Sequence, residues 1–302
     1  MKRLLPILLP ALLFSIAGLS QGCSDAGFCS LKYHATQGEK DLKNSLSIGN
    51  VSGGADGNTF VNGTYISYRR VLKKDLFWDT RITANYASGS LATNFNIGDL
   101  FTNISLRLAG DSKKDRSVQL LGGLKIPLSA ANDKAGGKPL PMAYQSSLGT
   151  WDALLGLQYK VKNWEFTNAW QIPLTMQNRN SFFKEYSLSS DFPSTNKFGR
   201  RPDLLLRAAY QLNKLAPNFS LRPNILAIWH LGEDTYEDIS SKRQPITGSS
   251  GLTLNANIIG TYRINAKNSI ELSLATPFLV RDIRPDGLTR SYTAGIEYRV
   301  SF

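Results

Sequence analysis

Apolar and polar side chains alternate with a period of two over most of the chain. The alternating segments run about ten to twelve residues, and the connections between them sort by length. Together these observations predict an all-β protein, a transmembrane antiparallel β-barrel of about 12 strands with short periplasmic turns and long extracellular loops. A soluble antiparallel sandwich alternates as well. Its strands, however, are usually ~5–6 residues long, whereas a tilted membrane strand needs ~9–11.

Composition narrows the alternatives. The 302 residues are 42 % hydrophobic and 19 % charged, with 14 Phe, 12 Tyr and 5 Trp. That is too aromatic for a disordered chain, and 25 Gly and 13 Pro are too few for a collagen-like one. Beyond the N-terminus no apolar run approaches the ~20 residues of a membrane helix. The formal net charge is +12, but the basic residues are scattered, with no cluster longer than Arg69-Arg70 or Lys73-Lys74, so nucleic acid is not an expected partner.

At the start, Met1-Lys2-Arg3 precedes an apolar run from Leu4 to Leu19, and Ser20-Gln21-Gly22 suits cleavage. Residues 1–22 read as a secretory signal peptide, whose removal leaves a net charge of +10. Cys23 and Cys29 are the only cysteines. In an exported chain they are expected to close a small disulfide ring, since two thiolates are only half of a zinc site. Lipidation of Cys23 is the rival, against which stands Ser20 where a lipoprotein signal wants an aliphatic residue. Residues 23–43 are then an N-terminal plug or a periplasmic segment, and 44–302 form the barrel.

The expected strands are 44–52, 59–72, 76–86, 98–109, 117–128, 151–161, 164–174, 202–212, 219–231, 250–264, 268–275 and 288–302. Connections 53–58, 87–97, 129–150, 175–201, 232–249 and 276–287 form the long set. Connections 73–75, 110–116, 162–163, 213–218 and 265–267 form the short one. Trp78, Trp151, Trp164, Trp170 and Trp229 lie on apolar faces, several near strand ends, where amphipathic rings suit the headgroup level of outer-membrane lipid. The last strand ends its apolar alternation on Phe302, the form that barrel-assembly machinery reads.

Several segments carry a family resemblance: CSDAGFC at Cys23–Cys29, LPMAYQSSLGTWDALLGLQY at Leu140–Tyr159, RPDLLLRAAY at Arg201–Tyr210, SGLTLN at Ser250–Asn255, and PFLVRDIRPDGLTRSYTAGIEYRVSF at Pro277–Phe302. The chain resembles a set of Gram-negative outer-membrane transporter barrels. Those are similar in turn to the phenol meta-pathway (aromatic-compound) channels and, more distantly, to the long-chain fatty-acid channels. The resemblance implies a location in the cell outer membrane and a channel role. It also implies that residues 23–43 are of a length to fold up into the lumen as a plug.

By alternation the lumen receives Arg69, Arg81, Arg107, Lys125, Asp152, Asp203, Arg207, Arg222, Arg263, Glu271, Glu297 and Arg299, together with Asp79, Lys160 and Glu165. Both signs occur, so many should pair across strands. The surplus of Arg and Lys favours anionic or polar solutes. In the connection before the last strand, Arg281, Asp282, Arg284 and Asp286 are more charge than a turn requires. Arg281 and Arg284 are expected to fold inward as an outer constriction.

An enzyme is not expected. The chain holds only His34 and His230, no GxSxG, HExxH or glycine-rich phosphate loop, and no motif for a cofactor or metal. His230, followed by Glu233 and Asp234, reads as a hydrogen-bonding anchor for its loop. The function expected is passive passage of small or hydrophobic solutes through a plugged, narrow lumen. The alternative is a structural or interaction barrel acting through its long loops or a partner protein.

Overall fold

The computed structural model describes residues 42–111, 116–175, 178–187, 189, 191–286 and 292–302. Its strands in chain order are β1 (Asn44–Ala55), β2 (Thr59–Lys73), β3 (Leu76–Ser88), β4 (Thr93–Asp111), β5 (Arg116–Pro127), β6 (Lys134–Ala135), β7 (Lys138–Pro139), β8 (Asp152–Val161), β9 (Trp164–Pro173), β10 (Asp203–Tyr210), β11 (Leu212–Ala216), β12 (Phe219–His230), β13 (Thr235–Glu237), β14 (Arg243–Pro245), β15 (Gly251–Arg263), β16 (Asn268–Leu279) and β17 (Thr293–Ser301). The pairs β6–β7 and β13–β14 are small hairpins within loops. The rest close into one antiparallel barrel of twelve strands, in which β11 continues β10 beyond Gln211. The seam joins β1 to β17, from Ser45↔Ser301 to Gly53↔Thr293. Closure leaves no unpaired sheet edge, the condition for backbone polar groups to sit in hydrocarbon.

The outward face is apolar. Leu46, Ile48, Ile66, Leu155, Leu206, Leu272 and Ile296 are each between 47 and 57 % exposed. So continuous a band around a closed barrel is the surface that meets lipid. Near one end of it Trp164 stacks on Phe166 and meets Tyr210 edge-on, and near the other lies Trp229.

Four long connections, 128–151, 174–202, 231–250 and 280–292, lie at one end of the barrel, the loop end. Segments 74–75, 162–163, 217–218 and 264–267 lie at the opposite, turn end. The first two connections of the expected long set are in fact tight. β1 runs on to Ala55 and turns through Asp56, Gly57 and Asn58, the last two at positive φ, a three-residue hairpin connection. β4 begins at Thr93, but the β3–β4 register slips between Ile82 and Ala84, opposite Gly98. Phe95 and Ile97 therefore point outward before the slip and Leu100 after it, which hides the alternation.

β16 also runs past its expected end, through Pro277 to Leu279. Its pairing with β17 stops at Ala275↔Thr293, so Pro277 lies where the strand is paired on one side only, with Asn255 of β15. The last strand is shorter than expected, Thr293–Ser301, and residues 287–291 lie outside the described residues.

Candidate functional site

At the turn end the lumen opens into a cavity of about 190 Å³, with Leu42 and Lys43 at its rim. Arg69 pairs with Asp79 at 3.7 Å and Arg107 with Asp75 at 3.6 Å. Both guanidiniums lie over the Phe77 ring, at 4.8 and 5.5 Å. Arg263 is exposed in this mouth, and Arg222 and Arg299 reach its inner wall.

Farther in, four strands build a platform. The Tyr65 ring lies flat against β1 over Gly49, where a Cβ would stand 2.3 Å from the ring. The Arg81 guanidinium stacks on the other face of that ring at 3.9 Å. The Tyr65 hydroxyl donates to Glu297 Oε2 at 2.7 Å, and Arg299 donates to Glu297 Oε1 at 2.6 Å. On the facing wall Glu165 collects Gln158 Nε2 at 2.9 Å, Arg207 at 3.4 Å and Arg222 at 3.8 Å. Between the two walls is a chamber of about 140 Å³ that Arg81, Arg207, Glu271 and Glu297 all line. The described charges of the chamber thus come in both signs.

Toward the loop end one wall turns apolar. Phe101, Leu121, Leu154, Leu205, Leu226 and Ile228 project inward as a cluster. Above it lies a lattice of buried charge. Lys125 Nζ is 3.0 Å from Asp152 Oδ2, 3.9 Å from Asp99 Oδ2, and donates to Thr150 at 3.1 Å. Gln171 ties into Asp152, and Arg200 into both Asp152 and Asp203. His230 Nδ1 is 2.6 Å from Asp203 Oδ1, and its Nε2 is 2.8 Å from Asp234 Oδ1. Arg281 bonds Asp286 at 2.6 Å and the Ser249 carbonyl at 2.6 Å. None of the nine ionisable members is more than 6 % exposed.

The loops bring these groups together by folding into the mouth. Asn85 donates to the Ser146 carbonyl at 2.6 Å, and Ser147 bonds Asp99 at 2.5 Å, so segment 128–151 is tied to the inner wall. Arg284 reaches across the mouth to Asp56 at 2.7 Å. Electrostatics follow from this packing. Burial alone would raise the Asp286 carboxyl, but Arg281 and Arg200 outweigh it and hold it at about 2. Burial likewise opposes the charge on Arg200, yet Asp203, Asp286, Asp152 and Asp234 together raise its affinity for the proton. Arg284 is displaced downward, because burial exceeds what Asp56 and Asp286 return.

The residues singled out by alternation fall into three places. Arg69, Arg107, Arg222, Arg263 and Arg299 are toward the turn end. Arg81, Arg207, Glu271 and Glu297 are around the chamber, and Lys125, Asp152 and Asp203 are in the lattice. Of the connection before the last strand, Arg281, Arg284 and Asp286 are buried, whereas Asp282 points to the exterior and takes no part. Arg200, Asp99 and Tyr65 are not among the residues that alternation places in the lumen, whereas Asp234, named beside His230, is the carboxylate that its Nε2 meets. A signal existed for Tyr65 in Gly49, an inward glycine on the neighbouring strand. Cys23, Cys29 and His34 lie outside the described residues.

Both nitrogens of His230 are occupied by carboxylates, so the ring presents no free base to a nucleophile.

No protein-family model matches the chain, and no curated protein matches it in sequence. Among solved structures it is similar to an outer membrane channel from Pseudomonas putida F1, with a TM-score of 0.58 and 14 % identity over 89 % of this chain and 100 % of that one. Weaker similarity extends to the KdgM porin (TM-score 0.45, 6 % identity, 85 % of this chain and 99 % of that one) and to the NanC porin (TM-score 0.42, 10 % identity, 86 % and 98 %). The fold is therefore that of the outer-membrane β-barrels, and its apolar belt places the chain in the Gram-negative outer membrane.

Proposed function

We propose that the protein is a passive channel for small or hydrophobic solutes, with its long loops outside the cell and its short turns in the periplasm. The observation that carries this reading is the polar lumen inside the closed barrel. Its vestibule and chamber hold about 190 and 140 Å³ and are lined by charged side chains of both signs. A water's share of liquid is ~30 Å³, so the chamber suits a solute of a few heavy atoms rather than a polymer. The apolar cluster Phe101, Leu154, Leu205 and Leu226 supports a path that tolerates hydrophobic groups. Residues 23–43 act as the plug, closed into a ring by the Cys23–Cys29 disulfide, a reading supported by Leu42 and Lys43 lining the vestibule. Arg281 and Arg284 form the outer constriction, and assembly machinery engages the final strand.

The test is solute entry and ion conductance in vesicles reconstituted with the full chain and with a deletion of 23–43. Entry of small solutes, increased by the deletion, is the expected result. Vesicles as tight as protein-free controls in both cases would end the channel reading.

A further inference from the structure

We propose that the lid over the loop end is a proton-controlled latch, with His230 as its key: the lid is shut while the imidazole is doubly protonated and released when one ring proton leaves. This rests on the channel reading for its purpose, though not for its mechanics.

With both carboxylates ionised, the geometry calls for both ring protons. A neutral imidazole has one N–H and one lone pair, yet each ring nitrogen of His230 faces a carboxylate oxygen, at 2.6 and 2.8 Å. Only the imidazolium donates to both. Loss of either proton sets a nitrogen lone pair against Asp203 or Asp234 at hydrogen-bond distance, in a site with almost no water to screen it.

The two carboxylates belong to different parts of the molecule, Asp203 to the barrel rim directly across from His230 and Asp234 to the lid. Asp203 opens β10, while Asp234 lies in the loop after β12. The remaining charges around the ring come from every neighbouring element. Arg200 precedes β10 and holds Asp203. Arg281 and Asp286, from the segment before β17, reach Asp234 and Arg200. Asp152 on β8 meets Arg200, with Lys125 on β5 behind it. His230 therefore sits where three loops and the barrel rim are tied together, and in this cluster it is the group whose ordinary titration range lies nearest neutrality. Asp234 also receives the Arg201 N–H at 2.9 Å, so movement of its side chain is passed to loop 174–202. Beneath the lattice is the apolar cluster, and beyond that the chamber. Release of the lid would connect the chamber to the exterior.

The test uses the full chain folded in vesicles and two independent readouts between about pH 6 and pH 9.5. One is conductance. The other is trypsin cleavage after Arg200 and Arg281, both buried in the lattice, measured in single-hit digests against exposed Lys197 as internal reference. In the wild type both signals should rise by about tenfold with pH and fall back when acid is restored. His230→Gln should give profiles flat with pH. Asp234→Asn keeps the imidazole and removes one carboxylate, so it should open at a lower pH than the wild type, and it serves if His230→Gln does not fold. Alkaline cleavage at Arg200 and Arg281 without conductance at any pH would uphold the latch and overturn the channel. Wild-type cleavage that is flat across the range, or rises equally in His230→Gln, would overturn the latch whatever the conductance.

Discussion

The two ends of the barrel use the same residue types in opposite ways. At the loop end Lys125 and Asp152 meet at 3.0 Å with neither side chain exposed. At the turn end Arg107 and Asp75 meet at 3.6 Å with side chains 22 and 43 % exposed. The number of charges is not what separates the ends; water is. An exposed pair gains little, because solvent already stabilises each partner, and its net worth is about 0–1 kcal/mol. A buried pair is held by necessity, since either partner left alone has lost its hydration and gained nothing. One end can therefore open and close in water without penalty. The other is held by its own pairings, because its members have no water to turn to.

The strongest way to break this contrast is Asp152→Ala, which leaves buried Lys125 with only the more distant Asp99 and the neutral Thr150 and takes a carboxylate from Arg200. It should cost about 3–5 kcal/mol, read as a shift of the urea unfolding midpoint in detergent micelles. A cost below about 1 kcal/mol would show that water reaches Lys125 and that the ends do not differ. Leu206→Arg places a charge on the lipid face, where neither water nor a counter-ion waits, and should cost about 2–4 kcal/mol if that site is near the bilayer midplane. Gly49→Ala probes the platform between the ends. The methyl collides with the Tyr65 ring, so about 1–3 kcal/mol is expected, read from the same unfolding midpoint.

Asp286 sharpens the comparison through pH. Its carboxyl is held at about 2 in the folded protein, below the ~3.9 of a free aspartate. Its contribution to lid stability is therefore complete above the unfolded value and lost as pH falls through about 2. Hydrogen exchange of residues 281–286 should stay slow down to about pH 4 and quicken below about pH 3; exchange that already quickens near pH 5 would mean that Arg281 and Arg200 do not hold it. The smallest effect is Arg107→Ala, expected at about 0–1 kcal/mol at the exposed turn end. A value near that of Asp152→Ala would erase the contrast.

Strands were legible because alternation reports which face each residue takes, and Leu206 or Ile296 could be placed outward from their neighbours alone. Legibility failed wherever a register slip interrupted the count, as opposite Gly98, or where a residue normally fatal to a strand sat on a stretch paired on one side only, as Pro277 does. The lattice was legible only in part. Asp203 and His230 lie on strands and so follow from the period, and Arg281 stood out as surplus charge in a turn. Arg200 and Asp234 lie in loops, where no period exists. Their partners are fixed by how far loops 174–202 and 231–250 fold inward, which is a matter of packing. Asp282 shows the same limit from the other side: adjacent to Arg281 and equally charged, it points away.

The seam between β1 and β17 has a consequence for how the molecule comes into being. Ser47 accepts a hydrogen bond from Arg299, its partner across 252 positions of sequence. No closed form of the sheet exists until the last strand has been delivered to the first. A chain built this way has to travel as an open intermediate, with the edges of its growing sheet unpaired, and it gains its final hydrogen bonds in one late step. Long-range pairing of this kind is slow, and exposed edges invite other chains. The rate at which the ring closes, rather than the depth of its energy minimum, therefore decides whether a newly made copy becomes a barrel or an aggregate.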